Sequence, residues 1–218
     1  MIITIDGPAG TGKTTVARKL AKSLHYHYFD TGAMYRALTY HLIKNRVDIH
    51  NHEKVRELLA NFLFDIREMN DQKHYFLDSE DVTEVIRSRE VTQKVSEVAA
   101  LADVRKALVA IQRAFGEHNN AVFEGRDMGT VVFPQAEKKI FLTARAAVRA
   151  ERRYLELKAK KIPVNAEDIL KEITDRDTFD STREISPLRQ ADDAFVIDTS
   201  DLTSDQVVEQ ILAQLSAK

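Results

Sequence analysis

Cysteine is absent from the 218-residue chain, which excludes disulfides, cysteine-based zinc sites and cysteine nucleophiles. Its absence suits a reducing compartment, and a cytoplasmic location is expected. Net charge is nearly absent as well. With 32 Lys and Arg against 34 Asp and Glu, the formal charge is -2, so no global attraction draws the chain to nucleic acid or an anionic membrane. Any anion binding must therefore be local. No apolar run approaches the roughly 18 residues of a membrane span. A glycine-rich motif already opens at Gly7, so no signal peptide is expected either. The histidines, His25 and His27 included, lack metal-ligand spacing, and repeats, low-complexity tracts and long linkers are missing. What is present, 44% hydrophobic and 30% charged residues, fits one α/β domain with a core of its own and a small insert, and a monomer is expected.

Hydrophobic periodicity divides the chain into alternating strands and helices. Residues 1–6 read as a strand and 13–24 as a helix with Val16, Leu20 and Leu24 on one face. A second unit follows: a strand over 25–29, Thr31 as an N-cap, and a helix carrying Met34, Leu38 and Leu42. Residues 58–63 read as helical. Over 64–86 the pattern shortens into aromatic and β-branched runs around a turn at 70–72, as in an antiparallel insert. Helices are expected over 88–101 and 103–117, strands over 121–124 and 139–142, and a basic helix over 145–161. Asn165 with Asp168 opens another helix, a strand follows over 195–197, and Thr203 with Gln206 starts a closing helix facing inward through Val207, Val208, Ile211 and Leu215. Such alternation argues for a parallel sheet covered by helices on both faces.

Gly7-Pro8-Ala9-Gly10-Thr11-Gly12-Lys13-Thr14 satisfies the phosphate-loop pattern G-x-x-x-x-G-K-[ST], placed between a predicted strand and a predicted helix. Glycines let backbone N–H groups converge on phosphate oxygens, and the positive end of the helix dipole adds to the attraction. In this arrangement Lys13 reaches the β- and γ-phosphates, and Thr14 ligates Mg²⁺ directly or through water. The spacing of glycines 7, 10 and 12 does not supply the G-x-G-x-x-G of a dinucleotide site, and no N-K-x-D string marks a guanine-reading switch. Kinases and related NTPases remain.

Phosphoryl transfer needs positive groups that hold two anionic substrates in line. Arginines mixed with carboxylates and hydroxyls cluster in DTGAMYR at 30–36, EGRDMGT at 124–130 and RDTFDSTR at 176–183. These segments, with IDGPAGTGKTT at 5–15, LDSEDVTEVIRS at 77–88 and VSEVAALADVRKAL at 95–108, make the chain resemble bacterial cytidylate kinases, in the nucleoside monophosphate kinase group. The resemblance spans essentially the whole chain. It implies a P-loop kinase core over about 1–60 and 96–218, an antiparallel β-containing monophosphate-binding insert over about 61–95, and a helical lid over about 150–185. It also implies the reaction, transfer from ATP with Mg²⁺ to CMP or dCMP, with no nucleic-acid or membrane partner.

For the site, the resemblance implies that residues 7–15, Thr15 included, hold the donor phosphates and that Lys13, Arg126, Arg176 and Arg183 are catalytic. Arg36 and Arg126 clamp the acceptor phosphate, as the bidentate guanidinium suits. Ser96, Arg105, Asp127 and Arg183 line the base, Arg176 and Asp180 contact the ribose, and Thr31 also belongs to the substrate site. Arg153, with Arg149 and Arg152, stands where the wider group places donor-phosphate arginines; a solvated helix face braced by Glu151 and Glu156 is the other reading of that run. One carboxylate with several donors matches the edge of cytosine, whereas uracil would turn a carbonyl towards the carboxylate. Two departures from the family pattern stand out. Thr14-Thr15 follows the lysine where many relatives have Gly-Thr, so either hydroxyl can serve the metal. Phe179 and Ser181 replace arginines found in some relatives. Another small-molecule kinase on the same core, such as an adenylate, shikimate or dephospho-coenzyme A kinase, and a nucleotide-gated binding module are the alternatives.

Overall fold

In the computed structural model, which describes residues 1–69 and 72–216, the apolar run ahead of Gly7 forms the middle strand of a parallel sheet. This strand, β1 (Ile2–Asp6), has β6 (Ala121–Gly125) on one side and β7 (Lys138–Thr143) on the other. β2 (His27–Asp30) extends the sheet beyond β6, and β8 (Phe195–Asp198) extends it beyond β7. All four pairings are parallel. Ile3, Ile5, Val122 and Leu142 are completely buried, as strands covered on both faces require. On one face they meet Val16, Ala17, Leu20 and Ala21 of α1 (Lys13–Leu24), with Val207, Val208 and Ile211 of α8 (Ser204–Ser216). Phe29, Phe115, Phe123 and Phe133 pack edge-on and stacked against one another in a separate aromatic group.

Two further helices, α6 (Ala146–Ala159) and α7 (Ala166–Thr182), are joined through Ala150, Ile169 and Ile173, against which Tyr154, Leu157 and Val164 pack. Asn165 caps α7 by accepting the Glu167 N–H at 3.0 Å. At α8 Thr203 and Gln206 exchange hydrogen bonds reciprocally, which is the capping box expected from their spacing.

Residues Met1–Asp30 and Phe115–Lys218 form one compact unit and Thr31–Ala114 a second. The second is wider than the segment 61–95 read as an insert. It contains α2 (Thr31–Lys44), α3 (His52–Ala60), α4 (Arg89–Val98), most of α5 (Ala102–His118) and an antiparallel sheet. That sheet joins β3 (Phe64–Met69), β4 (Gln72–Leu77) and β5 (Glu80–Asp81), with Phe64 opposite Leu77 and Met69 opposite Gln72. Of the turn expected at 70–72, Gln72 belongs to β4, and Asn70 and Asp71 lie outside the described residues. Among the described residues no helix is long and apolar enough to cross a membrane.

Several boundaries differ from those read from periodicity. The helix expected over 58–63 occupies His52–Ala60, because the Asn51 side chain accepts the Lys54 N–H at 3.1 Å and starts it earlier. Thr31 is the first residue of α2 rather than its cap, and is buried. β2 begins at His27 because His25, at φ 55°, closes α1 in the left-handed conformation. Met128–Val132, unassigned by its pattern, is a single wide helical turn.

The phosphate loop leaves β1 under a steric constraint. Gly7 lies at φ +145°, and a Cβ there would stand 2.0 Å from the carbonyl oxygen of Leu142 in β7. That atom belongs to the buried sheet and cannot swing aside. Gly7→Ala is expected to lower unfolding stability by about 3 kcal/mol, the upper end of ordinary overpacking costs; equilibrium denaturant unfolding measures it, and a loss below about 1 kcal/mol would contradict this account.

Candidate active site

The strands of a parallel sheet deliver their last residues to one edge, and here that edge is ionisable. β1 ends at Asp6, β2 at Asp30, and β6 brings Glu124 level with Asp30, so three carboxylates lie where the phosphate loop and α1 begin. Asp6 accepts the Met128 N–H at 2.9 Å and the Gly129 N–H at 2.8 Å, which fastens the turn carrying Arg126 and Asp127 to the central strand. Burial pushes the Asp6 carboxyl up to about 6, against the pull of these two N–H donors. Glu124 sits between two hydroxyls: Tyr28 donates to Oε1, and Thr14 donates to Oε2 at 3.0 Å. Its carboxyl is pushed up to about 7 by burial and then by Asp30, with Lys13, Tyr28 and Thr14 opposing.

Lys13 is buried and donates to the Pro8 carbonyl at 2.7 Å, across its own loop. Burial and then Arg126 hold its ammonium well below the usual lysine range; Arg176 adds to this, while Glu124 and Asp6 pull the other way. Thr11 also donates to Pro8 O, at 3.1 Å, and Thr199 braces the loop from outside by donating to Thr11 O at 3.0 Å. Thr14 is half-buried, whereas Thr15 is exposed on α1.

Arginines arrive from two further elements. Arg126, following β6, donates through Nε to Asp180 Oδ2 at 3.0 Å. Arg176 of α7 stands 3.8 Å from the same oxygen, and its buried Nε has no hydrogen-bond partner among the described residues. Its pKa is pulled down to about 10 by burial and then by Arg126, with Arg153 contributing in the same sense. Arg183, just past α7, lies 3.9 Å from Asp127 and donates to Ser186 O at 2.8 Å, both members of the pair being buried. Lys13, Arg126, Asp127, Arg176, Asp180 and Arg183 are thus gathered in the first unit. Thr31, Arg36, Ser96 and Arg105 belong to the second. There Arg36 donates to Thr92 at 2.8 Å, Ser96 is half-buried on α4, and buried Arg105 lies over the Tyr35 ring, 5.8 Å from its centroid.

The three arginines of α6 have separate surroundings. Arg153 is half-exposed and pairs with Glu156 at 2.7 Å, and Arg152 donates to the Thr199 hydroxyl at 3.2 Å. Arg149 is buried. The solvated-face reading therefore does not describe Arg149, whereas half-exposed Arg153 fits either reading.

A buried lysine and a buried arginine Nε without a hydrogen-bond partner among the described residues, in a cluster of mutually repelling cations, suit an anionic ligand. A family model described as cytidylate kinase matches residues 3–217. The chain belongs to the cytidylate kinase family. It is 57% identical over 217 residues to the cytidylate kinase of Protochlamydia amoebophila (strain UWE25), covering 97% of this chain and 95% of that protein. To the cytidylate kinase of Carboxydothermus hydrogenoformans it is 46% identical over 218 residues, 100% of this chain and 98% of the relative. A shikimate kinase from Bacteroides thetaiotaomicron shares the fold, with TM-score 0.51, 12% identity and coverage of 99% and 98% of the two chains.

The motifs that mark the cytidylate kinase family pass over part of this site. Asp6 and Glu124 lie inside the quoted motifs, yet no role follows for them from composition or spacing. A carboxylate closing a parallel strand beside a phosphate loop was the available signal. Nothing in the sequence points to Tyr28, whose partner lies 96 residues away.

Between the ordinary carboxyl pKa of 4.5 and about 7, native Glu124 keeps a proton that the unfolded chain has released. Its favourable contribution is complete below 4.5 and is lost as the pH rises through about 7. Glu124→Gln keeps the shape without the charge. Relative to the parent, the ligand-free variant is expected to gain on the order of 2 kcal/mol between about pH 5 and about pH 8. Denaturant unfolding at the two pH values measures this, and an unchanged difference would remove the buried-carboxylate account.

Proposed function

We propose that the protein transfers the γ-phosphoryl group of ATP to the phosphate of CMP or dCMP, giving ADP and CDP or dCDP. A bond forms between the γ-phosphorus and an acceptor phosphate oxygen, and the bond to the β–γ bridging oxygen breaks. The acceptor is already anionic, so no general base is needed. The observation that carries the reading is the cluster of buried Lys13 with half-buried Arg126 and Arg176 at the end of a phosphate loop, in a chain of the cytidylate kinase family.

Lys13 and the N–H groups of residues 7–15 hold the donor phosphates, and Arg126 and Arg176 offset the charge that spreads over the transferring group. Oxygen donors suit a hard divalent cation, and Thr14 with Glu124 behind it, or Thr15, is the set that would hold Mg²⁺. Mg²⁺ held there would supply charge neutralisation to the donor phosphates. The α6–α7 hairpin acts as the lid over about 150–185, excluding water as it closes, with Arg153 facing the donor. Segment 61–95 and the residues Thr31, Arg36, Ser96 and Arg105 serve the acceptor. Asp127 accepts the cytosine amino group, with Arg183 beside it, and Arg176 and Asp180 meet the ribose. The enzyme works on free nucleotides as a cytoplasmic monomer.

ADP release with Mg-ATP and CMP, dCMP, UMP, AMP or GMP at matched concentrations tests the reading. Strong turnover with CMP and dCMP and little with UMP is expected, and a preference for any other acceptor would overturn it. Lys13→Ala is expected to reduce turnover by about a thousandfold, the scale of losing one stabilising donor. Asp127→Ala should raise the KM for CMP about tenfold and narrow the CMP-over-UMP ratio. An unchanged ratio in steady-state assays would remove Asp127 from the base site.

A further inference from the structure

Arg149 lies in the first turn of α6, where the helix dipole disfavours a cation, and it is largely withdrawn from water. Both conditions are costly, so its three acceptors must offset them. Nε donates to Ala144 O at 2.9 Å, Nη1 donates to Ala9 O at 3.1 Å, and Nη1 lies 2.6 Å from Asp177 Oδ2. One guanidinium thus joins the entry to α6, the phosphate loop and α7.

We propose that Arg149 and Asp177 form a latch that positions the phosphate loop and α7 relative to each other, so that Asp177 governs where Arg176 stands beside the donor phosphates. The inference rests on the donor-site reading above, and neither latch residue is a catalytic residue. At the loop, the physical reason is the rigid peptide plane. A planar trans peptide holds C=O and N–H on opposite sides, so tying Ala9 C=O to Arg149 directs the Gly10 N–H away from α6. Gly10 lies at φ +79°, and a Cβ there would come within 3.0 Å of the Arg149 Cβ and 3.3 Å of its carbonyl oxygen. The loop therefore rests directly on this turn of α6, with no room for a side chain between them.

At the other end, the apolar contact of Ala150 with Ile169 and Ile173 holds α6 to α7 but discriminates poorly among small rotations of either helix. The ion pair discriminates well, because a buried charge has few geometries that satisfy it. Asp177 also attracts Arg176, its neighbour in sequence, and Asp180 on the same helix accepts from Arg126. Rotating α7 to release Asp177 would carry Arg176 and Asp180 with it.

Three variants test the latch: Asp177→Asn, Arg149→Lys and the double Arg149→Met, Asp177→Leu. The last leaves no unpaired charge and so keeps a folded protein measurable if a single variant fails. Titration calorimetry with Mg-ATP and no acceptor reads the donor site independently of which nucleotide accepts, and thermal unfolding reads the fold. About a tenfold weaker Kd for ATP is expected in each single variant, with the double variant little worse than either. Wild-type ATP affinity in the double variant, or lowered Tm with unchanged affinity in the singles, would reduce the pair to structural support and overturn the proposal. Failure of the wild-type protein to phosphorylate CMP would instead overturn the assigned function and leave the calorimetric comparison standing.

Discussion

Positive charge gathered out of water at one edge of the sheet is the constraint on which the site depends. Lys13, Arg126 and Arg176 repel one another, and withdrawal from water makes each repulsion stronger than it would be at the surface. The protein tolerates this because carboxylates are interleaved: Asp180 between Arg126 and Arg176, Asp127 opposite Arg183, Glu124 and Asp6 near Lys13. The compensation is incomplete, as the depressed Lys13 and Arg176 indicate, with the Arg176 Nε lacking a hydrogen-bond partner among the described residues. Under the proposed function an anionic substrate completes it, which lets a site take polyphosphate without a strongly basic surface.

The sheet makes that gathering possible. Strand order β2-β6-β1-β7-β8 reverses direction of growth at β1, and the chain ends of β1 and β6 open beside each other there. Gly7 lies against β7, Asp6 holds the turn after β6, and Thr199 and Arg149 brace the loop from outside. The loop is thus shaped by contacts from three separate parts of the chain, at Leu142, Arg149 and Thr199. Its backbone is preorganised before any phosphate arrives.

Helices with strong local signals were legible before any coordinates. α1 spans the residues its periodicity marked, and Thr203 with Gln206 and Asn165 start their helices as their spacing implied. Elements shaped by partners distant in sequence were not. Met128–Val132 coils because Asp6 takes two of its N–H groups, and β2 is shortened by the left-handed close of α1. At the site, the motifs pointed to Lys13, Arg126, Arg176 and Arg183. They were silent on Tyr28 and on the different fates of Arg149 and Arg153, four residues apart on one helix.

The sequence alone determined the chemistry: a glycine-rich loop ending in Lys13 and Thr14 commits the backbone to phosphate, and the ordered arginine motifs mark the cytidylate kinase family. These are local properties, since backbone freedom and side-chain charge travel with the residues that carry them. Only the tertiary structure decided which charges are buried, which are paired and which are left short of a partner. Those depend on distances across the sheet, between Tyr28 and Glu124 or Arg149 and Asp177, and on withdrawal from water, which no residue possesses until the chain has folded around it.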